Sequence, residues 1–174
     1  LPWGAVLLMV RFCENRGWWI TATALVVAFK GLLRVGELLR IRASDVYFKG
    51  AEVVLRLLET KTGRDQPVRI GDTGVIWALR RLLSSLPRGS LLFEVPYYRL
   101  RAQFKTALQQ IGLPPHAYVV HWLRHGGATE AFMTGMPLDN VAHLGRWRSL
   151  TTARRYVQLG AALLGEARLK QKMF

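Results

Sequence analysis

The chain has 174 residues, of which 51% are hydrophobic, and this length and composition suit one compact domain and exclude global disorder. Its 25 Lys and Arg residues outnumber its 11 Asp and Glu residues, so the formal net charge is +14. Because such an excess opposes folding through self-repulsion, it favours a polyanionic partner, although an arginine-rich source would produce it as well. The basic residues are spread along the chain, which predicts a broad basic face and not a basic tail.

The first third of the chain predicts helices followed by a small antiparallel sheet. Apolar residues recur at helical spacing over Ala5–Phe12 and Ile20–Leu33, and a short helix is expected over Glu37–Ile41. Over Ala51–Ile70 the apolar residues alternate instead, which predicts a β-hairpin with a polar tip. A third short strand is expected just before it, over Asp45–Phe48.

The rest of the chain is predicted to be helical. Asp72 is a suitable N-cap for a helix over Thr73–Leu86, since its carboxylate can accept a backbone N–H at the helix start. Further helices are predicted over Tyr97–Ile111, Trp122–Thr134, Leu138–Leu144, Leu150–Leu159 and Ala161–Lys172. The predicted fold class is therefore α+β, mainly α with one small antiparallel β-sheet, and residues 1–174 are expected to form a single domain.

Cysteine usage, hydropathy and the first residues bear on the compartment of the protein. Cys13 is the only cysteine, so an internal disulfide is excluded and a reducing, intracellular compartment is expected. The longest nearly apolar stretch, Trp18–Phe29, is shorter than the about 20 residues that a bilayer-spanning helix needs. The chain starts at Leu1 without a Met or a basic leader, so a piece cut from a longer protein is expected.

One set of side chains suits the cleavage of a phosphodiester by an oxygen nucleophile: Arg34, Lys61, His121, Arg124, Trp147 and Tyr156. This chemistry needs a nucleophile, stabilisation of the charge that grows on the phosphate oxygens, and a proton for the leaving 5′-oxygen. Each of these residues alone would more often be an ordinary surface or core residue. Only their combination, in this order and spacing, indicates the chemistry.

The functional groups suggest a role for each arginine, the histidine and the tyrosine. Tyr156 offers a phenol, whose ordinary pKa of about 10 makes it a poor nucleophile unless nearby cations favour the phenolate. Arg34 and Arg124 can each hold phosphate oxygens with two N–H groups. His121 precedes Arg124 by three residues, which places the two on one helix face if this segment is helical.

Trp147 and Lys61 complete the set. Trp147 offers an indole N–H to a phosphate oxygen and apolar area that can pack beside the tyrosine. Lys61 lies where the first hairpin strand enters the tip, from which it can reach the leaving oxygen as a general acid. Because the histidines have no acidic residues clustered with them at ligand spacing, no metal and no cofactor are expected.

The blocks that carry these residues resemble the tyrosine recombinases, or phage integrase family, which include Cre-like and Xer-like enzymes. Gly31–Leu39 resembles the first arginine block, in which Glu37 falls where the family uses an acid to brace the arginine. Residues 60–63, Thr-Lys-Thr-Gly, are similar to the lysine hairpin, and His121–Thr129 is similar to the H-x-x-R block. Leu144–Trp147, followed by Tyr156, resembles the final block, so the likeness covers most of the chain.

Two features depart from the commoner pattern of the family. The last block reads Leu-Gly-Arg-Trp where Leu-Gly-His is commoner, so an extra residue, Arg146, follows the glycine, and Trp147 takes the His/Trp position. This form is also similar to recombinases of eukaryotic mobile elements of the DIRS, Ngaro and Crypton kinds. Few residues precede Arg34, so the N-terminal helical domain with which family members clamp DNA is expected to be absent from this chain.

The resemblance implies the catalytic domain of a site-specific DNA recombinase or integrase that needs neither a metal nor ATP. Tyr156 would attack the scissile phosphate and form a 3′-phosphotyrosine, and a 5′-hydroxyl from a partner strand would then attack this bond. The implied partners are double-stranded DNA and further copies of the chain in a synaptic tetramer, with the C-terminal helix docked on a neighbour or on its own domain. The implied location is intracellular: the nucleus in a eukaryote, the cytoplasm or nucleoid in a prokaryote.

Further basic residues are expected to hold the DNA backbone without reading its sequence. The candidates are Arg42, Arg64, Lys105, Arg146, Arg148, Arg154 and Arg155. His125 is expected to help to orient the active site and not to react itself.

Three other functions are compatible with part of the pattern. A type IB topoisomerase uses similar chemistry within one duplex, but the order of the blocks favours a recombinase. A catalytically silent DNA-binding relic would keep the fold without turnover; the intact residue set argues against it, and the missing N-terminal half argues for it. A basic membrane-surface protein would need a basic amphipathic helix of a kind that the sequence lacks.

Overall fold

The computed structural model describes residues 1–61 and 63–157 of the chain. The helices are α1 (Trp3–Asn15), α2 (Trp19–Lys30), α3 (Val35–Leu38), α4 (Thr73–Leu83), α5 (Tyr97–Gln110), α6 (Trp122–Met133), α7 (Leu138–Gly145) and α8, described over residues 150–157. The strands β1 (Val46–Lys49), β2 (Glu52–Thr60) and β3 (Gly63–Ile70) form an antiparallel sheet in the order β1-β2-β3. The predicted fold class, mainly α with one small antiparallel sheet, is confirmed.

The main difference from the predicted elements lies between α2 and α3. The sequence predicted one helix over Ile20–Leu33, but α2 ends at Lys30. Leu32 then takes a left-handed conformation with φ of 47°, which reverses the chain direction just before Arg34. As a result Arg34 lies at the start of a new short helix and not on a continuous helix surface.

Other predictions for the elements hold with shifted ends. The Asp72 carboxylate accepts the backbone N–H of Val75 at 3.0 Å, so the predicted N-cap of α4 is confirmed. The predicted third strand and hairpin are present, and β2 and β3 pair as far as Thr60 and Gly63, which leaves Lys61 at the tip. The predicted helix Ala161–Lys172 lies outside the residues that the structure describes, as do residues 158 and 159 of the preceding predicted helix.

Helix α2 forms the centre of the domain, because every residue from Thr21 to Phe29 is buried. Helices α1, α4, α5 and α6 pack around it. The inner face of the sheet adds a row of apolar side chains, namely Val53, Leu55, Leu57, Val68 and Ile70. A helix that is apolar on all sides is stable only when its neighbours cover it, which explains this central position. Among the described helices, none combines the length and apolar character that a membrane crossing requires.

A second, smaller apolar cluster holds α8 against the rest of the domain. Leu32, Ala128, Val141 and Val157 are its buried members, and Trp147 and Tyr156 are among the partly buried residues that pack against it. These buried residues come from the turn after α2 and from α6, α7 and α8. The cluster therefore fixes the tyrosine of the last described helix next to the turn that carries Arg34.

Helix α6 approaches α2 closely through a pair of glycines. A Cβ atom at Gly127 would collide with the backbone carbonyl of Phe29, and one at Gly126 would collide with the backbone carbonyl of Leu1. Both obstacles are backbone atoms, which cannot rotate away as a side chain can. The two glycines thus allow α6, with its histidines and Arg124, to lie against the core.

We predict that Gly127→Ala lowers the free energy of unfolding by roughly 2 kcal/mol, because the added methyl group overpacks the contact between α6 and α2. Gly4→Ala is the matched control, since nothing lies within 4 Å of a Cβ at Gly4 in α1. This control should be neutral or stabilising by up to about 1 kcal/mol, as alanine has the higher helix propensity. Urea denaturation measures both values, and equal effects of the two substitutions would contradict the close approach.

Candidate active site

The turn after α2 presents Arg34 together with the acid that holds it. Arg34 is the N-cap of α3, and Glu37 lies in the first turn of that helix. The Glu37 carboxylate accepts the backbone N–H of Arg34 at 2.8 Å and the Arg34 Nη1–H at 2.6 Å. The expected contact between this acid and this arginine is therefore present. The Arg34 side chain keeps 26% of its surface exposed, against 4% for Glu37, so Arg34 can still contact a ligand.

Glu37 also receives two arginines from distant parts of the chain. Arg146 Nη2 donates to Glu37 Oε2 at 2.7 Å, and Arg124 Nη1 lies 3.8 Å from the same oxygen. We call these four residues, Arg34, Glu37, Arg124 and Arg146, the Glu37 cluster. With three guanidinium groups and one carboxylate, the cluster carries a net charge of +2.

The electrostatics of the Glu37 cluster keep its carboxylate ionised. Burial alone would raise the pKa of Glu37, but the charge of Arg146 and the hydrogen bonds and charge of Arg34 outweigh it, so the pKa is lowered. Burial, followed by the charges of Arg34 and Arg146, lowers the pKa of Arg124. The guanidinium groups nevertheless stay protonated near neutral pH, because arginine is the most basic side chain.

Arg146, which the sequence analysis expected to contact DNA, is buried inside the protein, and the DNA contact stays a prediction. It is 8% exposed, and its side chain donates to the backbone carbonyls of Leu144 at 2.7 Å and Leu32 at 3.0 Å as well as to Glu37. The reason is the backbone: Arg146 caps α7 in a left-handed conformation with φ of 55°, and its side chain is directed inward. The extra residue between Gly145 and Trp147 was the sequence signal for this role.

Arg124 is more deeply buried than the sequence suggested. Its side chain has no exposed surface, Nη1 donates to the carbonyl of Leu32 at 2.5 Å, and Nη2 donates to the carbonyl of Gly145. The ring of Trp147 lies over its guanidinium, 4.6 Å from ring centroid to Cζ. Nη1 and Nη2 are thus engaged with backbone carbonyls, while the buried Nε has no hydrogen-bond partner among the described residues.

Tyr156 is surrounded by aromatic side chains on α6 and after α7. Its hydroxyl lies 3.2 Å from His121 Nε2, and its ring stacks on His125 with centroids 4.1 Å apart and planes at 14°. The Trp147 ring also packs against Tyr156, with a centroid distance of 4.7 Å and an angle of 48° between the ring planes. The segment that carries His121 and Arg124 is helical, as their predicted placement on one helix face requires. His121 is the N-cap of α6 with helical dihedral angles, and Arg124 follows within that helix. His121, Arg124, Trp147 and Tyr156 therefore form one continuous group.

Both histidines beside Tyr156 are held in the neutral form near neutral pH. Burial, the charge of Arg124 and the charge of Arg34 lower the pKa of His121. Burial and the neighbouring His121 lower the pKa of His125 to about 4. A neutral imidazole at hydrogen-bonding distance from a phenol can accept its proton, provided that Nδ1 carries the ring hydrogen.

Trp147 fits its position because of the glycine two residues earlier. A Cβ at Gly145 would collide with the Trp147 ring, so only glycine lets the indole lie over Arg124. The indole Nε1 is buried and has no hydrogen-bond partner among the described residues. A buried donor without a partner is costly, which makes this N–H available to an incoming acceptor.

Lys61 lies on the exposed tip of the hairpin and shares a cleft of about 600 Å³ with Arg34. Arg40, Glu59 and Arg64 also line this cleft. The structure thus brings Lys61 into the same cleft as Arg34, and Tyr156 is not among the residues that line this cleft. Arg40 was not predicted from the sequence and adds a further positive charge to the same cleft.

The remaining basic residues that were expected to contact DNA differ in their exposure and in their contacts within the protein. Arg148, Arg154 and Arg155 are exposed near Trp147 and Tyr156, and Arg64 is exposed beside Glu59 at 3.8 Å. Arg42 donates to the carbonyl of Gly89 at 2.7 Å. The Lys105 ammonium donates to the backbone carbonyls of Pro115 and, at 2.6 Å, Tyr118, and its expected DNA contact stays a prediction. It ties α5 to the segment before α6.

Within residues 1–61 and 63–157, no group of three or more His, Cys, Asp or Glu side chains is arranged to hold a metal ion.

A family model and a related protein both indicate the same family for this chain. The model of the phage integrase family matches residues 6–162. A Sinorhizobium fredii protein named as an integrase/recombinase, y4rF, is 30% identical over 162 residues, which are 85% of this chain and 37% of that protein. The chain thus spans less than two fifths of the length of this relative.

Solved structures of tyrosine recombinases share the fold. The XerH recombinase bound to its difH substrate matches with a TM-score of 0.74 and 19% identity, over 94% of this chain and 51% of that one. The XerA recombinase matches with a TM-score of 0.71 and 20% identity, over 98% and 62%. A lambda integrase dimer bound to a core site matches with a TM-score of 0.68 and 21% identity, over 90% and 47%. The chain therefore has the fold of a tyrosine recombinase catalytic domain.

We predict that acidification below about pH 6.5 destabilises the protein, and that His125→Phe reduces this effect. The pKa of His125 is lowered from 6.5 to about 4. Between these pH values the unfolded chain binds more protons than the folded one, so the free energy of unfolding decreases as the pH is lowered. For a partly exposed group this amounts to roughly 2 kcal/mol. Phenylalanine keeps the stacking on Tyr156 without titrating. Urea denaturation at pH 7 and pH 4.5 checks this, and equal losses in both proteins would contradict it.

Proposed function

The chain belongs to the phage integrase family, and we propose on this premise that it cleaves and rejoins double-stranded DNA as the catalytic part of a site-specific tyrosine recombinase. The observation that supports this most strongly is the phenol of Tyr156, held 3.2 Å from a neutral imidazole beside a cluster with a net charge of +2. A nucleophile, a base and an anion-stabilising group thus lie within one small region.

In the proposed cleavage step, the Tyr156 oxygen attacks the scissile phosphorus and its proton passes to His121 Nε2. A bond forms between the phenol oxygen and phosphorus, and the bond from phosphorus to the 5′-oxygen breaks. The products are a 3′-phosphotyrosine and a free 5′-hydroxyl. Because the new ester is again a phosphodiester, a 5′-hydroxyl from another strand can reverse the step, and the proposal requires neither ATP nor a metal ion.

The Glu37 cluster is proposed to stabilise the charge that grows on the phosphate. A phosphodiester carries one negative charge, and attack by a phenolate brings a second one to the transition state. Arg34 is the member with exposed surface and an orientation fixed by Glu37, so it is proposed to bind a phosphate oxygen directly. Arg124 supports it through its charge, and the unpaired indole N–H of Trp147 supplies a further donor.

Lys61 is proposed as the general acid that protonates the leaving 5′-oxygen. This proposal is supported by the open cleft that Lys61 shares with Arg34, the residue proposed to bind the phosphate. The exposed tip of the hairpin allows its side chain to reach along the DNA strand.

Double-stranded DNA and further copies of the chain are the proposed partners. The net charge of +14 and the exposed Arg64, Arg148, Arg154 and Arg155 around the site support binding to a polyanion. The XerH and lambda integrase structures that share the fold contain DNA. A synaptic tetramer, and a place in a mobile element, are parts of the same proposal.

A second candidate function is DNA binding without cleavage. One observation favours it: Arg124 has no exposed surface and lies beneath Trp147. If Arg124 stays buried when DNA is bound, the site binds a phosphate weakly, and the protein cleaves DNA slowly or not at all. The two functions differ in whether a covalent protein–DNA adduct forms.

We predict that Tyr156→Phe abolishes covalent attachment to DNA and changes DNA affinity little, since only the nucleophilic oxygen is lost. The measurement uses nicked duplexes of randomised sequence in EDTA, followed by a denaturing gel and sequencing of the shifted DNA. Tyr47→Phe, which removes a phenol oxygen on β1, is the control and should form the adduct normally. An equal yield from Tyr156→Phe and the wild type would exclude Tyr156 as the nucleophile. Salt-sensitive binding with no adduct in the wild type would favour the second candidate.

We predict that Lys61→Ala slows cleavage of an ordinary substrate by about 10²- to 10⁴-fold, the usual contribution of a general acid. A 5′-phosphorothiolate leaving group needs no proton, so the same variant should cleave that substrate at nearly the wild-type rate. Lys49→Ala, at the exposed end of β1, should leave both rates unchanged. If Lys61→Ala slows both substrates equally, Lys61 has another role.

A further inference from the structure

Arg146 is a buried charge to which the proposed cleavage step assigns no contact. It is 8% exposed, and its Nη1 and Nη2 groups donate to Glu37 and to backbone carbonyls of the turn after α2 and the end of α7, while its buried Nε has no partner among the described residues. We infer that Arg146 is a positioning residue that acts as the counter-ion of Glu37, so that Glu37 can orient Arg34 without cancelling the positive charge of Arg34 and Arg124. This inference rests on the proposed function and adds a residue to its machinery.

The hydrogen bonds of Glu37 show how its carboxylate can orient Arg34 while Arg146 neutralises its charge. One carboxylate oxygen, Oε1, accepts Arg34 Nη1–H at 2.6 Å, and Oε2 accepts the backbone N–H of Arg34 at 2.8 Å. Arg146 Nη2 takes the remaining strong position on Oε2, at 2.7 Å, while Arg124 stays at 3.8 Å. Because Arg146 occupies that position, Arg124 does not form a close ion pair with Glu37.

Arg146 raises the net charge of the Glu37 cluster by one, and this added charge favours the transition state over the bound substrate. With Arg146 the cluster carries +2, and without it the remaining two arginines and one carboxylate carry +1. A net charge of +1 matches a bound phosphodiester, whereas +2 matches the doubly charged transition state. Interactions that are stronger in the transition state than in the ground state raise the rate constant and leave substrate affinity nearly unchanged.

The backbone at Arg146 connects this charge to the rest of the site. Its left-handed conformation ends α7, and Trp147 follows directly and covers Arg124. Through the carbonyl of Leu32, Arg146 is also tied to the turn that precedes Arg34. The residue thus links the elements that carry Arg34, Arg124 and Trp147.

The first test compares Arg146→Met with the wild type on a DNA sequence recovered from the adduct. Met keeps the length of the side chain and removes its charge. The single-turnover rate of adduct formation should fall by at least about 30-fold, while the Kd for DNA changes by less than about threefold. Arg11→Met makes the same change of net charge at an exposed position on α1 and should behave as the wild type. A wild-type rate in Arg146→Met, or a loss confined to DNA affinity, would overturn the inference.

The double variant Glu37→Gln with Arg146→Met separates a counter-ion from a merely structural residue. It restores the net charge of +2, so adduct formation should be at least about fivefold faster than in Arg146→Met alone. Arg146→Lys, which keeps the charge, should lie between the wild type and Arg146→Met. A double variant as slow as Arg146→Met, or slower, would overturn the inference. Circular dichroism checks folding; if Arg146→Met does not fold, the double variant and Arg146→Lys must still fold and retain activity.

A second readout does not depend on DNA cleavage. Inorganic phosphate in its dianionic form, which carries two negative charges as the transition state does, is titrated into the protein by calorimetry. We expect Arg146→Met to bind this dianion about tenfold more weakly than the wild type, and the double variant to recover. If the wild type forms no adduct with DNA, the proposed function fails, but this titration still decides the role of Arg146. Equal phosphate affinity in the wild type and Arg146→Met, or no binding by the wild type, would overturn the inference.

Discussion

The arrangement of the site depends on a single buried carboxylate that is shared among three guanidinium groups. Glu37 accepts hydrogen bonds from Arg34 and Arg146 and lies 3.8 Å from Arg124, and these residues come from three separate elements. Burying such charges is costly, and a cluster that retains an excess of positive charge is stabilised further when an anion binds. The site therefore retains an uncompensated positive charge, and the phosphate group of the proposed DNA substrate would compensate it.

The aromatic side of the site follows from the same cluster. Because Arg146 ends α7 in a left-handed turn, Trp147 is directed over Arg124, and its ring packs against Tyr156. His121 and His125 approach Tyr156 from α6 and are kept neutral by burial and by the nearby positive charges, so they can accept a proton but do not add charge. The cluster thus lies beside the phenol, and its positive charge adds to burial in keeping the neighbouring histidines neutral.

The sequence predicted those features that depend on local patterns. The hairpin and the Asp72 cap follow from short-range rules, the contact of Glu37 with Arg34 was implied by the family resemblance, and the structure contains each of them. The burial and the contacts of the individual basic residues could not be predicted in the same way. Arg146 and Lys105 look like surface cations in the sequence, but Arg146 donates to Glu37 from a left-handed turn and Lys105 donates to the backbone carbonyl of Tyr118. The stacking of His125 on Tyr156 likewise depends on how α6 and α8 pack, which residue spacing does not reveal.

Peptide mapping of the trapped protein–DNA adduct tests the central claim most directly, because it identifies the atom that carries the DNA. The adduct is formed on a nicked duplex in EDTA, digested with nuclease and trypsin, and analysed by tandem mass spectrometry. Trypsin cleaves after Arg155 and Arg168, so residues 156–168 form one peptide. The account predicts a nucleotide 3′-phosphate on Tyr156 in this peptide. A nucleotide on any other residue, or adduct formation that requires a divalent metal, would contradict it.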